Sequence, residues 1–165
     1  MTLISTVKEP DELSLTMVAQ FDASPDRVWD VWEDPRKLER WWGPPTFPAT
    51  FTRHEFTVGG QSRYFMTGPA GETPHGWWRI DAIDKPRRLE FANGLAGDDG
   101  EPMVGVEPMA GRVTFEVTSE GTRMTVVTCF TDVEQMQTML RMGMEEGMAQ
   151  AIDQIDAVLS ALPVS

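Results

Sequence analysis

Histidine, cysteine and clustered carboxylates are the side chains that could carry reaction chemistry, and this sequence spends them sparingly. It has two histidines, His54 and His75, and one cysteine, Cys129. The histidines stand at no metal-ligand spacing with other donors, and a lone cysteine makes no internal disulfide, so neither a metal site nor a disulfide framework is expected. Arg53, His54 and Glu55 are consecutive, and a histidine meeting a carboxylate inside a pocket could do acid–base work. Phe47, Ala49 and Phe51 put Arg53 and Glu55 on the inner face of their strand, whereas Phe56 and Val58 put His54 there, and a bulge would switch the faces. No Gly-x-Ser-x-Gly elbow, phosphate-binding loop or dinucleotide fingerprint occurs. Asp98, Asp99 and Glu101 read as a solvated loop rather than a cation site. The sequence therefore assigns no catalytic residue, no metal and no cofactor.

It is rich instead in side chains that hold apolar matter, with 6 Trp, 8 Phe and 11 Met against 1 Tyr. Groups this large must fill a core, a pocket or an interface. Methionines crowd the C-terminal segment. Met136, Leu140 and Met144 are expected to line a pocket, whereas Met139 and Met142 lie off the apolar stripe and read as ordinary packing or surface. Gly143 and Gly147, four apart, would leave a shallow helix face, either for a ligand or for close packing. Trp77 and Trp78 are neighbours on a strand and must point to opposite faces. Trp78 goes inside with Ile80, and Trp77 goes outside, where it would suit a dimer contact or a covering loop. Trp29, Trp32, Trp41 and Trp42 close one end, with Trp41 or Trp42 at the mouth. Phe51, Tyr64, Met66, Phe91, Phe115 and Phe130 are expected on the inner face, with Asn93 and Thr128 as polar groups that orient a ligand or are satisfied locally.

These residues need elements to position them. Leu13, Leu15, Met17, Ala19 and Phe21 alternate with Ser14, Thr16, Val18 and Gln20, which predicts a half-buried strand. Ser24 and Pro25 then start a short helix carrying Val28, Val31 and Trp32, and Pro35 starts another that runs to Trp41. The middle reads as antiparallel strands over Phe47 to Val58, Gln61 to Thr67, Gly76 to Ile83 and Arg88 to Asn93. Gly94 to Gly111 reads as a long connection. Two further strands follow, through Phe115 and through Val126. Leu140, Met144, Met148, Ile152, Ile155, Leu159 and Leu162 then form a stripe at steps of three and four. That predicts one long helix, on the order of 40 Å at 1.5 Å per residue, capped by Asp132 and ended by Pro163. The fold class is α+β, a curved antiparallel sheet of about six to seven strands around the C-terminal helix. Residues 1–12 read as an N-terminal tail and 13–163 as a single domain.

This order resembles the helix-grip fold of the START/Bet v-like superfamily. Within it, the chain is similar to the family named after the C-terminal domain of the activator of the heat-shock protein 90 ATPase. The resemblance rests on Ala23-Ser24-Pro25-Asp26-Arg27-Val28-Trp29, on Asp34-Pro35 with Leu38-Glu39-Arg40-Trp41-Trp42-Gly43-Pro44, on Gly59-Gly60, on Gly76 with Ile83, Pro86 and Arg88-Leu89, and on Gly121-Thr122-Arg123-Met124-Thr125. Glu55, Thr57, Ala82 and Met148 depart from the family's usual residues. The resemblance implies a cavity between sheet and C-terminal helix that holds a hydrophobic small molecule such as a lipid, steroid or polyketide. An enzyme of the cyclase or hydrolase type is the alternative on the same fold. A chaperone-associated role comes last, because 165 residues leave no room beside this domain for a chaperone-binding one.

Composition narrows the class further. Fourteen basic against 26 acidic residues give a net charge of −12. Such a chain repels phosphate backbones and anionic bilayers, so nucleic acid is not expected as a partner. No apolar run approaches the length of a membrane span, so membrane insertion is not expected. The first residues lack a basic stretch followed by an apolar run, so no signal peptide is read and a cytoplasmic location is the default. A homodimer is expected by analogy with look-alikes.

Overall fold

A computed structural model describes residues 3–160. Eight strands form one antiparallel sheet: β1 Leu3–Glu9, β2 Ser14–Phe21, β3 Ala49–His54, β4 Gln61–Met66, β5 His75–Asp84, β6 Arg88–Ala96, β7 Met109–Thr118 and β8 Gly121–Cys129. Their order across the sheet is β1-β2-β8-β7-β6-β5-β4-β3, so the early β2 sits beside the late β8. Helices α1 Pro25–Glu33 and α2 Pro35–Leu38 lie between β2 and β3, and α3 Val133–Arg141, α4 Met144–Asp153 and α5 Ile155–Ser160 end the described chain. The curved sheet with its C-terminal helical segment is the expected helix-grip fold, with one strand more than expected.

The extra strand is β1, which corrects the reading of residues 1–12 as a tail. Its partners run from Leu3↔Ala19 to Glu9↔Ser14. As an edge strand it leaves most of its described side chains in solvent. It therefore has no alternation of buried and exposed positions, the pattern that reveals a strand in sequence.

The caps at the first two helices follow the sequence. Ser24 Oγ accepts from the Arg27 amide at 3.4 Å, Pro25 takes the first helical position, and Asp34 accepts from the Arg36 amide at 2.9 Å. The α1 tryptophans build the core. Trp32 meets Trp41 at 4.7 Å between ring centroids, and Trp78 stacks on Phe91 at 4.5 Å. Trp41 Nε1 donates to the Val31 carbonyl at 2.9 Å, so this buried indole is satisfied. Such ring pairs contribute about 0.5–1.5 kcal/mol each beyond burial.

The single long helix is a second correction. Gly143 adopts φ +87°, in the left-handed region, and separates α3 from α4. Gln154 separates α4 from α5. Asp132 caps α3 as expected, accepting from the Gln135 amide at 2.7 Å. The apolar stripe holds over its second half, where Ile152 and Ile155 are buried and Leu159 packs partly buried against the core. Leu162 and Pro163 lie outside the described residues.

The connection expected from Gly94 to Gly111 is shorter, over residues 97–108, because β6 runs on to Ala96 and β7 begins at Met109. Gly94 is a packing glycine rather than a loop glycine. Opposite it on β5 sits Trp77, and a Cβ at Gly94 would approach the Trp77 indole nitrogen to 3.0 Å. Trp77 is on the outer face, as expected, but lies half-buried against that glycine.

Candidate ligand-binding site

A cavity of about 450 Å³ opens between the helical segment and the sheet. One wall is the break in the helix, with Met139, Met142, Gly143, Met144, Gly147 and Met148. A second is the stretch after α2, with Trp41, Trp42, Gly43, Pro44 and Phe47. The floor is β4, β6 and the start of β7, through Tyr64, Met66, Asn93, Leu95 and Met109. Gln154 fixes the first two walls together, its Nε2 donating to the carbonyls of Gly43 at 2.6 Å and Trp41 at 3.3 Å.

Of the residues expected on the wall, Trp41, Tyr64, Met66, Asn93, Gly143, Met144 and Gly147 are there. The others are elsewhere. Phe51, Trp78, Ile80, Phe91, Phe115, Phe130 and Met136 are buried in the core, and Thr128 is buried on β8. Leu140 packs partly buried against that core. Inward orientation was legible from alternation, but the core aromatics occupy the space between them, so inward-facing side chains at this end meet each other.

The methionines are also redistributed. Met139 and Met142, expected off the pocket, line it, while Met136 and Leu140 do not. The left-handed turn at Gly143 resets the helical phase, so one continuous stripe cannot predict both halves. Further wall residues are Phe47 and Met148, which alternation and the helical stripe marked as inward, and Met109, which fell in the expected connection. Six of the chain's eleven methionines line the cavity, a flexible and polarisable surface.

Polar groups on the wall are few. Tyr64 stacks on Phe51 at 4.9 Å and lies across Gly76, where a Cβ would collide with its ring. Burial pushes the Tyr64 phenol above its usual range, and Trp42 beside it offsets part of that rise. The Trp42 indole nitrogen is itself buried and has no well-directed hydrogen bond among the described residues. Asn93 Nδ2 reaches the Met109 carbonyl at 3.5 Å, the long limit of a hydrogen bond.

The Arg53-His54-Glu55 triplet is resolved by the anticipated bulge, a register shift between Phe51 and Arg53 on β3. His54 turns inward. Its Nε2 lies 2.9 Å from the Trp32 carbonyl, which can only accept, so that nitrogen carries the proton and Nδ1 accepts from Ser62 Oγ at 2.7 Å. Burial lowers the His54 pKa, opposed by the Trp32 carbonyl and the charges of Asp34 and Glu33. Arg53 and Glu55 are exposed and pair with each other at 3.0 Å. The Gln61 amide and then Arg53 hold the Glu55 carboxyl below its usual range. His54, Arg53, Glu55 and His75 are all absent from the cavity wall. Among the described residues no three His, Cys, Asp or Glu side chains are grouped as metal ligands.

A family model described as Activator of Hsp90 ATPase homolog 1-like protein matches residues 22–160. The chain belongs to that AHSA1 family. Solved structures agree with this placement. A protein from Arthrobacter aurescens, determined by solution NMR, is 52% identical with a TM-score of 0.92, over 99% of this chain and 95% of that one. A protein from Mycobacterium smegmatis is 40% identical with a TM-score of 0.89, over 98% and 99%. The AHSA1 protein from Silicibacter pomeroyi, at 21% identity and a TM-score of 0.68 over 89% and 97%, shares the fold. Comparison with curated proteins returns no match. No helix among the described residues of this AHSA1-family chain is long and apolar enough to cross a membrane.

Proposed function

We propose that this protein binds a hydrophobic small molecule in the cavity between sheet and helical segment. The observation that carries the reading is the wall itself, about 450 Å³ of space bounded by methionines and aromatics with no charged side chain among its residues. That volume falls in the range of roughly 300–1,000 Å³ typical of small-molecule sites. Apolar burial would supply roughly 25 cal/mol per Å² before ordering costs. Acid–base catalysis would need a titrating group on the wall, and Tyr64 is the one ionisable side chain there among the described residues. A tyrosine phenol is neutral at pH 7, and burial pushes the Tyr64 pKa further up. This favours binding over the cyclase or hydrolase alternative. Neither a homodimer nor a chaperone partner is part of the reading.

Gly147 offers a direct test. A Cβ there would touch only Pro44, at 4.0 Å, so a larger side chain can grow into the cavity without a backbone clash. Nile red titrated into the wild-type chain is expected to give a saturable, blue-shifted emission. Gly147→Phe should weaken that binding at least tenfold while far-UV circular dichroism stays unchanged. Equal dye binding by a folded Gly147→Phe protein would place the dye elsewhere and defeat the reading.

A further inference from the structure

We propose that the cavity selects an uncharged amphiphile, an apolar body ending in a hydroxyl or carbonyl, and excludes the matching carboxylate and ammonium. This deepens the binding reading and rests on it.

The wall supplies hydrogen bonds without charge. Tyr64 stands on the wall with a phenol that is protonated at neutral pH, so it can donate as well as accept. Asn93 has two side-chain donors and an acceptor oxygen, and its one side-chain bond among the described residues is the long contact to the Met109 carbonyl. A ligand hydroxyl or carbonyl can be satisfied by such groups. A carboxylate or an ammonium stripped of water would find no counter-charge, and burying an unpaired charge is far more costly than burying a hydroxyl.

The lining of the adjoining cavity adds no positive charge. A second cavity, about 360 Å³ beneath the 97–108 loop, shares Leu95, Met109, Met139 and Met142 with the first, so the two adjoin. Its charged lining residues are Glu107, Asp132 and Glu134, with no lysine, arginine or histidine. These carboxylates repel an anionic head. They are themselves exposed, and Asp132 is engaged in capping α3, so they give an ammonium a solvated rim rather than a buried partner. Of the bases next to wall residues in sequence, Arg63 pairs with Glu101, Arg40 and Arg141 are exposed to solvent, and His75 lies against the Phe65 ring.

The test uses the full chain at neutral pH, with Nile red displaced by decan-1-ol, decanoate or decylammonium below their aggregation limits. Decan-1-ol is expected to displace the dye at a concentration at least tenfold lower than either ion. Tyr64→Phe keeps the ring that stacks on Phe51 and should cut the advantage of decan-1-ol over 1-chlorodecane severalfold. Displacement by decanoate or decylammonium as effective as by decan-1-ol would overturn the charge selectivity while leaving the cavity reading intact. Failure of the dye to bind, or of all three to displace it, would overturn the cavity reading and this inference together.

Discussion

His54 shows how one side chain can be buried at a thermodynamic cost that depends on pH. It is held between the Trp32 carbonyl and Ser62 Oγ, with its pKa lowered chiefly by burial. The folded protein therefore holds fewer protons on this group than the unfolded chain does near the ordinary histidine pKa of about 6.5. Stability from His54 is complete above that pH and is lost as the pH falls toward the lowered folded value. Urea denaturation from pH 7.5 downward should show a falling midpoint, and His54→Gln should flatten the slope in that window. An identical slope in the variant would remove His54 as its source. The inward turn of His54 was only half legible in sequence. Two apolar runs out of phase, ending at Phe51 and starting at Phe56, demanded a bulge between them, but alternation alone could not say where. The placement of Phe51, Trp78 and Phe91 had the same limit, because period-two patterning gives the face and not whether that face meets a void or a neighbouring ring.

At the level of elements, the break in the C-terminal helix decides the cavity. Gly143 sits at φ +87°, and a Cβ added there would meet nothing within 4 Å, so the cost of Gly143→Ala is purely that of the backbone. Forcing an L-residue into that region costs roughly 1–2 kcal/mol, and the urea midpoint of Gly143→Ala should fall accordingly. A raised midpoint would mean that the helix runs straight through position 143. Sequence patterning identified the helical segment, its Asp132 cap and its buried stripe around Ile152 and Ile155. It did not identify the break, since a glycine inside a helix pattern is compatible with a tolerated interior residue. The misplacement of Met139 and Met142 follows from that single conformation. Strand β1 was missed because its stability comes from backbone pairing to β2, and hydrogen-bond partners leave no hydropathy pattern.

For the whole molecule, the net charge of −12 on 165 residues sets a measurable self-repulsion. Exposed pairs such as Arg79 with Asp81 and Arg87 with Asp84 are solvated and screened and offset little of it. Raising ionic strength from about 0.01 M to about 0.1 M shortens the Debye length from about 30 Å to about 10 Å. Calorimetry should show Tm rising over that range, whereas a fall would show that the ion pairs outweigh the repulsion. The overall architecture was the most legible level, because strand alternation, Ser24-Pro25 and the paired glycines at 59 and 60 each fix local geometry and agree with one another. The two helix breaks also divide labour along the chain. Residues past Gln154 anchor the segment through buried Ile155 and Val158, whereas Met139, Met142, Met144 and Met148 face the cavity with flexible, partly solvated side chains. Substitutions at exposed wall positions such as Met142 change the shape of the site without removing a buried side chain. The arrangement gives the proposed binding site a wall that can be reshaped while the scaffold that carries it stays the same.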